Sequence, residues 1–186
     1  YYESSANQNN SRAQYILGKI YEDGEIVEQN YSKAKEYYEL AAMQKDTDAL
    51  INLGELYENG YGVEQNYSKA KEYYELSAEQ SNTDALINLG DLYINGYGVE
   101  ISYPIAIKYY ESSANQNNSR AQYILGTIYE DGKIVEQNYS KAKEYFELSA
   151  EQNNPDALFS LGFLYKNGNG VQQNYSKAKE YFELSA

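Results

Sequence analysis

Apolar residues in this chain fall at helical spacing, in blocks that return every 36 residues. In TDALINLGELYENG they stand at Ala49, Leu50, Leu53, Leu56 and Tyr57, which predicts an amphipathic helix, helix A, with one broad buried stripe. The block YSKAKEYYELSA places Ala70, Tyr73, Tyr74 and Ala78 on one side and predicts a second helix, B. Anchored on Ala13, the helix A frame reappears at Ala49, Ala85, Ala121 and Ala157. The chain is therefore an array of one supersecondary unit and not a single globular core.

Capping residues punctuate each unit. Asp46, with Asn10, Asn82, Asn118 and Asn154 at the same place elsewhere, can accept the first free N–H groups of helix A, and Pro155 follows at the first helical position, where proline is tolerated. Gly60 and its counterparts Gly24, Gly96, Gly132 and Gly168 end helix A, and Asn66 (Asn30, Ser102, Asn138, Asn174) opens helix B. Inside helix A, Gly54 and its copies Gly18, Gly90, Gly126 and Gly162 each cost roughly 1 kcal/mol of helix propensity. That cost implies a close approach of the two helices, with Ala70-type residues expected on the facing surface.

The frame divides the chain into repeats over 11–46, 47–82, 83–118, 119–154 and 155–186, the last truncated, after the end of a preceding helix B at 1–10. One continuous solenoid domain, cut from a longer array, is expected. Residues 1–42 match 109–150 except at Lys19/Thr127, Glu25/Lys133, Tyr38/Phe146 and Ala41/Ser149, so three repeats form a larger period. Neither end carries a polar capping repeat, which points to end-to-end self-association of the fragment.

The pattern Ala-x-x-x-Leu-Gly-x-x-Tyr-x-x-Gly-x-Gly-Val, a capping residue, Ala-x-x-Tyr and a terminal Ala pair resembles the Sel-one-like repeat family, a relative of tetratricopeptide repeats. The resemblance implies an all-α fold, a right-handed α/α superhelix (solenoid) of 36-residue helix-turn-helix repeats. It also implies protein–protein interaction, since such proteins act as scaffolds and adaptors; cysteine-rich bacterial members have been described as binding or hydrolysing β-lactams. Two departures are visible. The second loop glycine, Gly62, Gly98 or Gly170, becomes Ile26 and Ile134, so positive φ is not required there in every repeat, and the Ala pair of Ala41 and Ala42 becomes Ser-Ala elsewhere.

Composition removes chemistry. The chain has neither Cys nor His, which excludes thiolate nucleophiles, imidazole bases, disulfides and ordinary zinc sites. No Ser-x-x-Lys with partner motifs is present, so an enzyme is not expected, nor is a cofactor. A net charge of -13 repels nucleic acid and suits a basic protein or peptide partner. No apolar run approaches the length of a membrane span. The missing cysteines fit a reducing, cytoplasmic setting; the Asn-Tyr-Ser triplets at Asn30, Asn66, Asn138 and Asn174, and the acceptor patterns at Asn9 and Asn117, would be glycosylation sites in a secretory lumen.

Binding is expected where the repeats differ. One face of helix A, which in related solenoids resembles the concave ligand-lining one, reads Asp48, Asn52, Glu55, Asn59 in repeat 2 and Asp84, Asn88, Asp91, Asn95 in repeat 3. Arg12, Ile16, Lys19 and Asp23 precede these residues; Arg120, Ile124, Thr127 and Asp131, then Asp156, Ser160, Phe163 and Asn167, follow. Paired amides at Asn52 and Asn88 can hold successive backbone groups of an extended peptide, and the surrounding carboxylates favour a basic one. The alternative is a solvated polar surface on a structural spacer. Repeat 3 also replaces Glu or Lys, Gln, Lys and Lys by Ile94, Ile101, Ile105 and Ile107, a candidate partner patch or local packing under an altered loop.

Overall fold

A computed structural model of the chain describes residues 10–186. The segment at 1–9, where a helix B end is expected and where Asn9 lies, is outside the described residues. Among those described there are ten helices: α1 (Ser11–Asp23), α2 (Tyr31–Ala42), α3 (Thr47–Asn59), α4 (Tyr67–Ala78), α5 (Thr83–Asn95), α6 (Tyr103–Ala114), α7 (Ser119–Asp131), α8 (Tyr139–Ala150), α9 (Pro155–Asn167) and α10 (Tyr175–Leu184). None is long and apolar enough to cross a membrane. Odd-numbered elements are helix A of each repeat and even-numbered ones helix B.

The chain forms two compact units, Tyr1–Ser102 and Tyr103–Ala186. In the first, α1 to α5 pack each against the next in sequence, and α6 to α10 do the same in the second. The all-α solenoid expectation holds, because no helix pair buries both apolar faces without a neighbour.

The helix ends follow the predicted caps. Asn10, Asp46, Asn82, Asn118 and Asn154 accept from the first turn of helix A, and Gly24, Gly60, Gly96, Gly132 and Gly168 close it in the left-handed conformation. Asn30, Asn66, Asn138 and Asn174 cap helix B. A further left-handed residue joins helix B to the next helix A: Lys45, Ser81, Asn117 and Asn153 have φ of 64, 64, 64 and 59°. No glycine marks this turn; asparagine, which tolerates the left-handed region, stands there at Asn117 and Asn153, but Lys45 and Ser81 carry no local signal for it. Ile26 and Ile134 are not among the positive-φ residues, as expected.

Packing differs from expectation at one informative place. The surface facing Gly54 is the ring of Tyr74, not Ala70: a Cβ at Gly54 would stand 2.3 Å from Tyr74 Cε1. The same ring-on-glycine contact joins Gly18 to Tyr38, Gly126 to Phe146 and Gly162 to Phe182. Tyr38, Tyr74 and Phe146 are fully buried. Burying such a ring stabilises by about 1.5–3 kcal/mol, which outweighs the helix-propensity cost of the glycine. On the other side of helix B, the next helix A closes the core, so that Ala34, Tyr38 and Ala41 form one cluster with Ala49, Leu53 and Leu56, and Ala142 and Phe146 form another with Ala157, Leu161 and Leu164. Helix B of repeat 2 buries Ala70, Tyr74 and Ser77, while Tyr73 and Ala78 are only half-buried. Ser77 donates to the Thr47 carbonyl at 3.0 Å, which explains a serine where the family pattern has alanine.

Tyrosines also staple neighbouring repeats together. Tyr31 stacks on Tyr61 and Tyr67 on Tyr97, joining one repeat's helix B to the following loop; Tyr57 stacks on Tyr73 and Tyr165 on Tyr181 within repeats. Gly62 is held at φ 67° with its Cβ direction 2.5 Å from Tyr31 Cβ, so the loop passes close over the preceding helix.

Gly54→Ala forces the Tyr74 ring aside. The expected loss is about 1–3 kcal/mol, the helix-propensity gain offsetting only part of the overpacking. Urea unfolding followed by circular dichroism measures it, and a variant as stable as the parent would contradict the close contact.

Candidate partner-binding face

In the first unit the expected face is built from α1, α3 and α5. Arg12 pairs with Asp48 at 3.0 Å, both side chains well exposed. Asn52 is not presented outward: it is 8% exposed, and its amide donates to Glu22 Oε2 at 3.0 Å and to the Tyr38 hydroxyl at 3.1 Å. Tyr38 in turn donates to Glu22 at 2.6 Å, and Lys19 reaches Glu22 at 2.9 Å and Asp23 at 3.3 Å. The expected pair of peptide-holding amides is thus reduced on this side, because a helix B hydroxyl and a helix A carboxylate in the preceding repeat claim the Asn52 side chain. Asn88 is half-buried and makes no side-chain hydrogen bond among the described residues. Glu55 and Asp91 are half-buried and Asp84 is exposed.

Repeat 2 carries the same carboxylate–hydroxyl pair, Tyr74 donating to Glu58 at 2.6 Å. Burial and the Glu58 hydrogen bond, followed by the negative charges of Glu58, Glu55 and Asp91, hold the Tyr74 hydroxyl far above its ordinary range. Burial and Glu22 do the same to Tyr38. In repeat 4 the ring is Phe146, so Glu130 has no such hydroxyl; burial, then the charge of Asp131, raises its carboxyl. The recurrence of Glu and Tyr 16 residues apart was the sequence signal for these pairs.

In the second unit Arg120 is exposed, and it makes no ion pair with Asp156 of the kind that joins Arg12 to Asp48. Ile124 is half-buried. Phe163 is 37% exposed and belongs to an aromatic trio with Phe159 and Phe182, ring centres 4.9–5.5 Å apart, with the Lys166 ammonium 5.4 Å from its ring. Phe159, more exposed than Phe163, was not singled out in the sequence, although it is the only phenylalanine at its register position.

The isoleucines of repeat 3 divide between the units. In the first, Ile101 is 55% exposed and packs its Cγ1 against Gly96, and Ile94 is half-buried. In the second, Ile105 is 41% exposed and Ile107 half-buried. Elsewhere these positions hold structural polar residues. Gln65 donates to the Glu58 carbonyl and the Tyr67 hydroxyl, Lys69 stands 4.8 Å over the Tyr57 ring, and Lys71 pairs with Glu75.

Among the described residues no group of three or more Asp or Glu side chains is arranged to hold a metal ion. A cavity of about 490 Å³ is lined by Glu147, Ala150, Glu151, Leu158, Leu161 and Tyr181, none of them on the face described above. In the first unit the expected face presents carboxylates and an amide; in the second it presents the aromatic edges of Phe159 and Phe163.

The Sel1 repeat model matches residues 11–46, 47–82, 83–118, 119–154 and 155–186. A Sel1 repeat protein from Oxalobacter formigenes is similar in structure with a TM-score of 0.90 and 30% identity, covering 99% of this chain and 76% of that one. The protein c5321, a protective antigen of uropathogenic Escherichia coli with an SLR fold, gives a TM-score of 0.86 at 30% identity; 99% of this chain spans 39% of its length. The immunity protein Pa5087 from Pseudomonas aeruginosa gives a TM-score of 0.71 at 23% identity, covering 99% and 70%, a likeness of fold alone. No curated protein sequence matches the chain.

The tyrosine environments set an alkaline limit. Tyr38 and Tyr74 are raised above the ordinary value of 10.0, so below that pH their pairing contributes fully, and above it the unfolded chain ionises while the fold must keep both protons. Stability therefore falls as pH climbs past 10.0, and phenolate absorbance from these two rings is expected to appear together with loss of helix. The Tyr38→Phe, Tyr74→Phe variant should lose helix less steeply with pH; equal slopes would contradict the assignment.

Proposed function

The chain belongs to the Sel1 repeat family, and from that premise we propose that it is a non-enzymatic scaffold offering the helix A face of repeats 2 and 3 to a basic segment of a protein partner. The family's solenoid fold is typical of protein–protein interaction scaffolds, and its members are generally non-enzymatic. The observation that carries the reading is charge placement. Asp48, Glu55, Asp84 and Asp91 line successive A helices, whereas the cations of residues 47–102, Lys69 and Lys71, lie on helix B and are engaged with Tyr57 and Glu75. A field of one sign on rigid helices steers and orients a partner of the other sign.

Two further features fit this reading. Arg12 and Lys19 make repeat 1 locally balanced, so the acidic stretch is bounded, and Arg120 and Ile124, then Phe163, give the later repeats a different character. Within the first unit, the change from a balanced to an acidic station along α1, α3 and α5 favours one register of an extended peptide. A structural spacer is the second reading, favoured by the near identity of 1–42 and 109–150, which sets length more directly than specificity. β-Lactam chemistry, as in cysteine-rich relatives, has no support from a chain without Cys or His.

The Asp84→Lys, Asp91→Lys variant separates these readings. Affinity for a partner captured by the parent protein is expected to fall at least about tenfold, with a weaker dependence on salt. Unchanged affinity, or the absence of any saturable partner, would favour the spacer.

A further inference from the structure

One glutamate position near the end of helix A is met differently from repeat to repeat. In repeat 1, Glu22 Oε2 receives the Tyr38 hydroxyl at 2.6 Å, the Asn52 amide at 3.0 Å and the Lys19 ammonium at 2.9 Å. In repeat 2, Glu58 receives the Tyr74 hydroxyl, again at 2.6 Å. Glu130 is the equivalent residue of repeat 4, and there each of the three donors is replaced: Lys19 by Thr127, Tyr38 by Phe146, and Asn52 of the following helix A by Ser160.

The frame around Glu130 is otherwise kept. Gly126 lies against the Phe146 ring as Gly18 lies against that of Tyr38, its Cβ direction 2.5 Å from Phe146 Cδ1. The bare para edge of the phenylalanine therefore takes the place where repeat 1 carries a hydroxyl. The Thr127 hydroxyl is turned away, donating to the Tyr123 carbonyl at 3.1 Å. Glu130 is half-buried, and its carboxylate has no hydrogen bond or ion pair among the described residues.

No cation from a neighbouring element makes up the loss. Lys133, just past α7, pairs with Asp131 at 2.6 Å. On α8, Lys141 stands 4.8 Å over the Tyr129 ring and Lys143 reaches Glu147 at 2.6 Å; on α9, Lys166 stands 5.4 Å from the Phe163 ring. On α6, Lys108 is exposed and the charge of Glu111 acts on Tyr145. Burial, then the negative charge of Asp131, both favour the neutral carboxyl of Glu130 and hold its proton above the ordinary value of 4.5. The donors around Glu22 fit an anion, whereas the surroundings of Glu130 fit a neutral carboxyl.

We propose that Glu130 is an acid-sensitive joint of the second unit, where uptake of one proton removes an unmatched charge from beside the Phe146 ring and tightens α7 on α8. The folded state holds this proton more tightly than the unfolded chain does. The gain is therefore complete below pH 4.5 and is lost as pH rises through the raised folded value.

The test combines thermal unfolding of the full chain between about pH 5 and about pH 8 with a carbon-13 titration of the Glu130 carboxyl. Glu130→Gln keeps the shape and removes the charge, so it is expected to melt about 2–4 °C above the parent at the neutral end and to lose that margin toward the acid end. Phe146→Tyr, which restores the hydroxyl of repeats 1 and 2, should lower the pH at which the Glu130 carboxyl titrates. A Glu130→Gln margin that is absent or independent of pH would overturn the proposal. So would a parent Glu130 carboxyl that titrates at or below its ordinary value, or one whose titration Phe146→Tyr leaves in place. Neither readout involves a partner, so the scaffold reading is tested separately.

Discussion

The contact of a helix B ring with a helix A glycine is the constraint on which the remaining structure depends. Only a residue without Cβ lets the rings of Tyr38, Tyr74, Phe146 and Phe182 lie flat on the facing helix, and three of the four are fully buried there. The contact fixes the spacing within a repeat. It also places the phenol hydroxyl beyond the glycine, beside the glutamate at the far end of helix A, so the Glu22–Tyr38 and Glu58–Tyr74 pairs follow from the same geometry. Stacking of the next helix A on the other side of the ring then makes the array cooperative between neighbours.

Much of this was legible in the sequence because repetition multiplies weak signals. One Asn before an apolar block is a poor cap prediction, but five capping residues in the same register are a strong one, and all five cap their helices. The partner of Gly54 was not legible, since both Ala70 and Tyr74 lie on the inner side of helix B and periodicity does not say which of them faces the glycine. The left-handed turn at Lys45 and Ser81 was hidden for another reason. Tertiary packing imposes that conformation on residues that do not favour it, and nothing local announces it.

The candidate face shows the same division between what spacing reveals and what contacts decide. Spacing put Asp48, Asn52 and Glu55 on one side of α3, but whether an amide points to solvent or into a neighbour depends on a hydroxyl 14 residues away. Asn52 and Asn88 are the same residue at the same register position, yet only the first is claimed by the preceding repeat. Differences of this kind, one charge or one hydroxyl on an invariant frame, are how a solenoid with uniform packing acquires positions that are chemically distinct. Lys19 against Glu55, and Tyr38 and Tyr74 against Phe146, are the clearest cases.

The frame itself is tested most directly by introducing Gly54→Ala in two backgrounds and measuring unfolding free energy in each. With Tyr74 present the alanine should destabilise; with Tyr74→Ala it should be neutral or stabilise by up to about 1 kcal/mol, because only the helix-propensity term then remains. The same loss in both backgrounds would contradict the account, showing that the glycine serves some requirement of helix A other than the ring.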